Sequence, residues 1–220
     1  MPESPAKAIK LKKVLTVANV QNQTIQRIPF EGEWYEAFKQ PQDRGVWFIW
    51  GSSGGGKSTF TMKLAKELAR TEKTLYNVLE EEPSDSDYIE RTELCGMNEV
   101  EDNFFTQSYD HEQLLEYLDK KGSPKVVVID SIIYLTKRFE DYLNLKNRYK
   151  DKLIIITGHA QGKDPRSEFE KSVMFDAKMK IYIEGYAAYC KGRTIGPNGG
   201  IFTIWKEGFE KLNGAGALNN

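Results

Sequence analysis

The chain has 220 residues, 40% of them hydrophobic and 29% charged, which suffices to bury the core of one α/β domain and excludes a disordered or fibrous polypeptide. A net charge of −1 argues against attraction to nucleic acid or anionic membrane through bulk charge, so any such contact needs a local patch. Only Cys95, Cys190, His111 and His159 offer soft metal ligands, and their spacing fits no zinc site; two distant thiols suit a reducing compartment.

Residues 1–28 read as a polar, basic N-terminal arm, with an alternating stretch at 14–20 that suits an edge strand. Four lysines against one glutamate in residues 1–13 fit either a DNA-contacting arm or a solubilising start. No apolar run follows that would form a leader, and nothing approaches the ~20 apolar residues of a membrane-spanning helix, so a cytoplasmic protein is expected. Trp34, Tyr35 and Phe38 recur at helical spacing over 31–39. The first buried strand is 46–50 (VWFIW), followed by a glycine-rich loop and a helix over 57–70. Strands at 74–79, 104–107, 125–130 and 152–157 then alternate with helices at 86–94, 111–120 and 140–149. The runs VVVID and LIIIT are apolar at every position, as expected of strands covered on both faces of a parallel sheet. Residues 179–184, 187–191 and 201–206 read as shorter, half-exposed strands of an antiparallel meander. The fold class is therefore α/β: a three-layer α/β/α sandwich with a mostly parallel central sheet and a C-terminal antiparallel extension. The domain is expected over 29–212, with a frayed tail at 213–220.

Gly51-Ser52-Ser53-Gly54-Gly55-Gly56-Lys57-Ser58 satisfies G-x-x-x-x-G-K-[ST], after a buried strand and before a helix, with Thr59 next in the helix. Glycines let successive backbone N–H groups surround a β-phosphate, and the helix N-terminus adds partial positive charge there. Lys57 is expected to reach β- and γ-phosphate oxygens, and the Ser58 hydroxyl to ligate Mg²⁺. Asp130, ending the strand KVVVID, is the expected second metal partner, acting through water. Hydrolysis also needs a carboxylate to orient water. Glu80 follows the strand 74–79, expected to lie beside the phosphate-loop strand; Glu81 is the fallback, and a solvated acidic cluster the plainer reading. His159, at the tip of the strand 152–157, is the expected sensor of the γ-phosphate.

The order GSSGGGKS, LEEE, VVVIDS and ITGHAQ resembles the RecA-like P-loop ATPases, which include strand-exchange recombinases, RadA-type proteins and hexameric replicative helicases. The resemblance spans about residues 45–207 and implies ATP with Mg²⁺, water activation by Glu80 and γ-phosphate sensing by His159. The segment YCKGR followed by a turn and IFTIW resembles the K-x-R segment of the RadA and replicative-helicase branch. By that resemblance Lys191 and Arg193 reach a neighbouring subunit's nucleotide, which implies a homo-oligomer such as a hexamer or filament. The opening IWGSSGGGKS and the ending EGYAAYCKGRTIGPNGGIFTIW are similar to small single-domain ATPases of bacterial prophages and mobile elements. The zinc finger and protease-like domain of RadA-type proteins and the helical domain of replicative helicases have no counterpart.

In such proteins the loop after the sensor strand contacts single-stranded DNA. Here 161–172 carries Lys163, Arg166 and Lys171 against Asp164, Glu168 and Glu170, without interleaved aromatics. Two classes of function stay open: an oligomeric, DNA-dependent ATPase of recombination or replication, and a P-loop ATPase or switch that works through protein partners. A small-molecule kinase is the weaker third option, because Glu80 and the K-x-R segment have no place in it.

Overall fold

Thr16 and Asn19 bond each other's backbone N–H in a capping box and start a short helix, α1 (Val17–Gln21), where an edge strand was expected. These local side-chain bonds satisfy backbone groups that a strand would have to pair elsewhere. The computed structural model describes residues 11–196 and 199–214, so the lysines before residue 11 and the tail from 215 lie outside the described residues.

The main body begins with α2 (Gly32–Phe38), β1 (Gly45–Gly51) and α3 (Lys57–Ala69). Next come β2 (Thr74–Val78), α4 (Ser86–Leu94), a 3-10 turn (Met97–Val100), β3 (Phe104–Gln107) and α5 (His111–Asp119). They are followed by β4 (Val126–Asp130), α6 (Ile132–Leu135), α7 (Phe139–Arg148) and β5 (Leu153–Gln161). The C-terminal third holds β6 (Asp164–Pro165), α8 (Glu168–Asp176), β7 (Met179–Glu184), β8 (Ala187–Gly192), β9 (Gly200–Thr203) and α9 (Lys206–Asn213).

The strands form one sheet in the order β3-β2-β4-β5-β1-β7-β8-β9, with β6 hairpinned onto the end of β5. The sheet is parallel from β3 through β7, and β8 and β9 are antiparallel. This is the three-layer RecA-like α/β/α architecture. The expected antiparallel meander is present as β7-β8-β9, and it joins the sheet through β7, which runs parallel to β1. The expected position of the strand bearing Glu80 is corrected: β1 lies between β5 and β7, and β2 sits beyond β4.

Alternation through the sheet divides the core between the two helical layers. Val126 and Val128 of β4 face the cluster that includes Phe60, Leu64 and Leu68 of α3, while Val127 and Ile129 face Leu114, Tyr142, Leu145 and Val173. Continuous apolar runs are therefore required on these central strands, since each successive side chain enters one core or the other. Phe60 is fully buried, and cutting it to alanine would cost about 3–5 kcal/mol. At the far edge Trp34 stacks on Phe202 at 4.1 Å, and Gly200 lies so close to α2 that a Cβ would stand 2.1 Å from the carbonyl of Ala37.

Besides α1, the helices α6, α8 and α9 were not expected. α8 occupies much of what reads as a charged loop, started by a capping box of Ser167 and Glu170, and α9 follows β9 where a longer strand was expected. Glu170 is accordingly buried, not solvated. No helix among the described residues is long and apolar enough to cross a membrane.

Candidate functional site

The loop between β1 and α3 turns at Gly54 and Gly56, whose φ angles of 76° and 93° lie in the left-handed region that costs glycine nothing. Gly56 caps α3 without a side-chain bond, so the first N–H groups of the helix are left for a ligand. This loop opens a cleft of about 400 Å³ whose lining includes Ser52, Ser53, Lys57, Ser58, Thr59, Glu80, Arg91, His159 and Tyr186. Lys57 is the first residue of α3 and only 8% exposed, with its Nζ 3.9 Å from Oδ1 of Asp130. Gly51 ends β1 beneath the loop, where a Cβ would stand 2.6 Å from the carbonyl of Ile183. Gly55 would press a Cβ to 3.3 Å from the carbonyl of Ser52.

Asp130 is held from two sides. The hydroxyl of Tyr76 on β2 donates to Oδ2 at 2.6 Å, and the hydroxyl of Thr157 on β5 donates to Oδ1. Burial, reinforced by the neighbouring carboxylate, pushes the Tyr76 phenol well above its ordinary pKa, which keeps it a donor. One lone pair remains on each carboxylate oxygen, and Asp130 is only 3% exposed. A carboxylate and a serine hydroxyl are hard oxygen donors, and together with the glycine cradle they fit a magnesium–polyphosphate ligand.

The backbone carbonyl of Asp130 also accepts from the N–H groups of Leu79 at 2.7 Å and Glu80 at 3.2 Å, which fixes the chain as it leaves β2. Glu80 can therefore reach the cleft although two strands separate β2 from β1. Its Oε1 lies 3.7 Å from Nε2 of His159, and both side chains are part-exposed. Glu81 turns aside into a two-pronged ion pair with Arg91 of α4. His159 sits inside β5, not beyond its tip, because that strand runs four residues further than its apolar run and folds back through β6. Its backbone N–H donates to Oε1 of Glu170 at 2.8 Å. Gly158 permits this crossing, since a Cβ there would stand 2.6 Å from the ring of Phe48 and 2.9 Å from the Glu170 carboxylate.

Lys191 and Arg193 do not join these groups within one chain. β8 runs antiparallel, so its end lies beside Met179 at the start of β7, on the edge of the sheet where the parallel strands begin, opposite the edge where they end and the phosphate loop sits. Two site features escaped the sequence reading. Arg91 lies in the stretch TLYNVLEEEPSDSDYIERTELCGM, whose arginine-containing helix resembles a RadA-type segment, but nothing in its spacing gives it a place in the site. Tyr186 takes a left-handed φ of 61° in a two-residue turn between β7 and β8, with Gly185 at 56°, and packs edge-on to Trp205 at 5.0 Å. Positive φ at both turn residues is the hairpin geometry that twisted strands favour, so Gly-Tyr between two strand-like runs was the available signal. The pair is closed by Gly208, where a Cβ would stand 2.3 Å from the indole of Trp205.

No protein-family model matches the sequence, and no curated protein matches it. Solved structures do share the architecture. The flagellar accessory protein FlaH of Methanocaldococcus jannaschii superposes with a TM-score of 0.59 at 15% identity, over 81% of this chain and 93% of that one. A KaiC-like protein of Pyrococcus horikoshii OT3 does so with a TM-score of 0.59 at 20% identity, over 83% of this chain and its full length. At such identities the likeness is one of fold, and chemistry must be argued from the cleft.

Proposed function

We propose that the protein is a magnesium-dependent ATPase of the RadA and replicative-helicase branch, cytoplasmic and oligomeric, serving DNA recombination or replication of a phage or mobile element. The observation that carries the hydrolytic reading is the meeting of Glu80 and His159 at 3.7 Å in the cleft that also holds Lys57. A glycine cradle alone would serve any phosphate binder, whereas a part-exposed carboxylate over the same cleft suits water activation.

In this reading the backbone N–H groups of 54–58 hold the β-phosphate, and Lys57 spans β- and γ-phosphate oxygens. Ser58 and Asp130 hold Mg²⁺, which supplies charge neutralisation when bound. Glu80 accepts a proton from the attacking water and aims it in line with the bond that breaks. His159 bonds a γ-phosphate oxygen, and its contact with Glu80 makes carboxylate position depend on whether that oxygen is present. Tyr186 and Trp205 offer an apolar wall beside the loop for the base. Lys191 and Arg193 lie too far from their own cleft to serve it, which supports delivery to a second copy, where they would stabilise charge in the transition state. All of these groups belong to the unit 29–212, with the arm and tail left as accessories.

One observation favours the second reading, a switch or ATPase acting on protein partners. The segment after the sensor strand is a short hairpin and a capped helix, with Glu170 buried, and not a long cationic loop. Steady-state ATP hydrolysis with Mg²⁺, with and without single-stranded DNA and across protein concentrations, separates the two. Stimulation by DNA with a steep concentration dependence supports the DNA motor. Slow turnover indifferent to both transfers the proposal to the switch, and unchanged hydrolysis in Lys57→Ala would overturn the assignment of hydrolysis to the phosphate loop.

A further inference from the structure

The edge of the sheet opposite the phosphate loop concentrates positive charge. A cleft of about 550 Å³ there is lined by Lys146, Lys178, Lys180, Lys191 and Arg193. It shares Lys178 and Arg193 with a narrower cleft of about 240 Å³, whose further walls include Pro41, Arg44, Trp47 and Met179. The first cleft is cationic and the second mainly apolar, and they meet at two cations.

The positive charge is poorly compensated. Asp176 is the only acid among the described residues lining either cleft, and it already accepts from Lys146 and from the hydroxyl of Tyr142. Lys180 stands directly opposite Lys191 in the antiparallel register of β7 and β8, a like-charge pairing that destabilises a sheet. The Lys180 ammonium donates to the carbonyl of Ala177 at 2.8 Å and the Lys178 ammonium to Oε1 of Gln42 at 3.2 Å, so both are aimed by neutral acceptors that leave the charge whole. Gly45 is bare beneath Lys178, where a Cβ would stand 2.7 Å from the lysine's Cδ. Burial pushes both lysines below their ordinary pKa, and nearby cations, Arg193 for both, push the same way. A fold that tolerates such repulsion gains most from an anion placed among these groups.

We propose that this edge is a second ligand site for a nucleoside phosphate. Its phosphate oxygens lie among Lys178, Lys180, Lys191 and Arg193, and its apolar part enters the narrower cleft. The chemistry is that of one nucleotide unit, supplied either as a free nucleotide or as part of a single strand. Hydrolysis at the phosphate loop is not required for it, and Lys178 and Lys180 have no part in the trans-acting role of Lys191 and Arg193.

The test uses the full chain carrying Lys57→Ala, so that binding at the phosphate loop is crippled, with ribose-labelled ATP and a labelled thymidine oligomer as separate probes. At least one probe should bind, and Lys178→Ala with Lys180→Ala should weaken it about tenfold or more, the size of one lost charge-assisted contact. Lys178→Arg with Lys180→Arg should keep most of the binding. Sensitivity of the ATP probe alone identifies a free nucleotide as the source, and sensitivity of the oligomer identifies a strand. Removing like charges should leave the melting temperature unchanged or raised. If the double alanine variant misfolds, Lys180→Gln gives the same reading. Binding of neither probe, or binding indifferent to the lysine pair, overturns the site. Neither result bears on ATP hydrolysis by the unsubstituted chain, so the two proposals fail separately.

Discussion

The two edges of one sheet are built on opposite electrostatic plans. At the phosphate-loop edge the buried charge is tied down: Asp130 is bonded by Tyr76 and Thr157, Glu81 by Arg91, and the peptide of His159 by Glu170. At the other edge Lys178, Lys180, Lys191 and Arg193 crowd together with one acid among them, itself engaged by Lys146. Tied groups hold their positions before a ligand arrives, which suits a reaction that needs atoms aligned. Crowded like charges hold a potential, which suits attraction of an anion. The lesson is that charge count says little by itself; the bonding of each charge tells what an edge is ready to do.

The sharpest way to break this contrast is at Glu80. Glu80→Gln should lower ATP turnover by about 10²–10⁴-fold with nucleotide binding retained, measured as kcat against the dissociation constant of ATP. Glu81→Gln should cost far less turnover, because that carboxylate is engaged by Arg91; the reverse ranking would move the water-orienting role one residue along. A second experiment joins the edges. Arg193→Ala should reduce hydrolysis by about 10²–10³-fold, the size of one lost donor to transition-state charge, and mixing it with Lys57→Ala should restore part of the activity, because one copy would lend Arg193 to the other's intact cleft. Absence of recovery across mixing ratios would argue that the edges never meet between copies.

Smaller effects probe how the edges are held. Gly158→Ala should lower stability by about 1–3 kcal/mol in denaturant titration, since the new methyl meets Phe48 and Glu170 with no flexible neighbour to yield. At the opposite edge, burial alone would raise the Asp176 carboxyl, but bonds from Lys146 and Tyr142 hold it below its ordinary range. A carboxyl with a lowered folded-state pKa contributes stability that is fully present above the ordinary carboxylate range and is lost as pH falls through the lowered value. Asp176→Asn should therefore cost about 1–3 kcal/mol near neutral pH and flatten the acid limb of a stability-versus-pH curve.

Much of the cleft can be read directly from residues that are close in the chain. The phosphate loop is one contiguous segment whose glycines, lysine and serine act through local backbone shape, and VVVID announces its buried strand by unbroken apolarity. Ser167 and Glu170 form a capping box that is equally local, and it signals α8 in a stretch whose alternating charges suggest an open loop. Glu80 and His159 are also legible as polar residues at strand ends, but their meeting is not, since 79 positions of sequence separate them.

What the amino-acid order determined by itself is the buried strands, the helices between them through α7 apart from the short α6, and the phosphate loop, because these depend on neighbours within a few residues. Only the tertiary structure decided that β2 lies beyond β4 and still delivers Glu80, that β7 runs parallel beside β1, and that Lys191 and Arg193 end on the far edge among Lys178 and Lys180. Strand order and direction follow from how whole layers bury their faces. That is a property of the packed sheet, which no single strand carries in its own sequence.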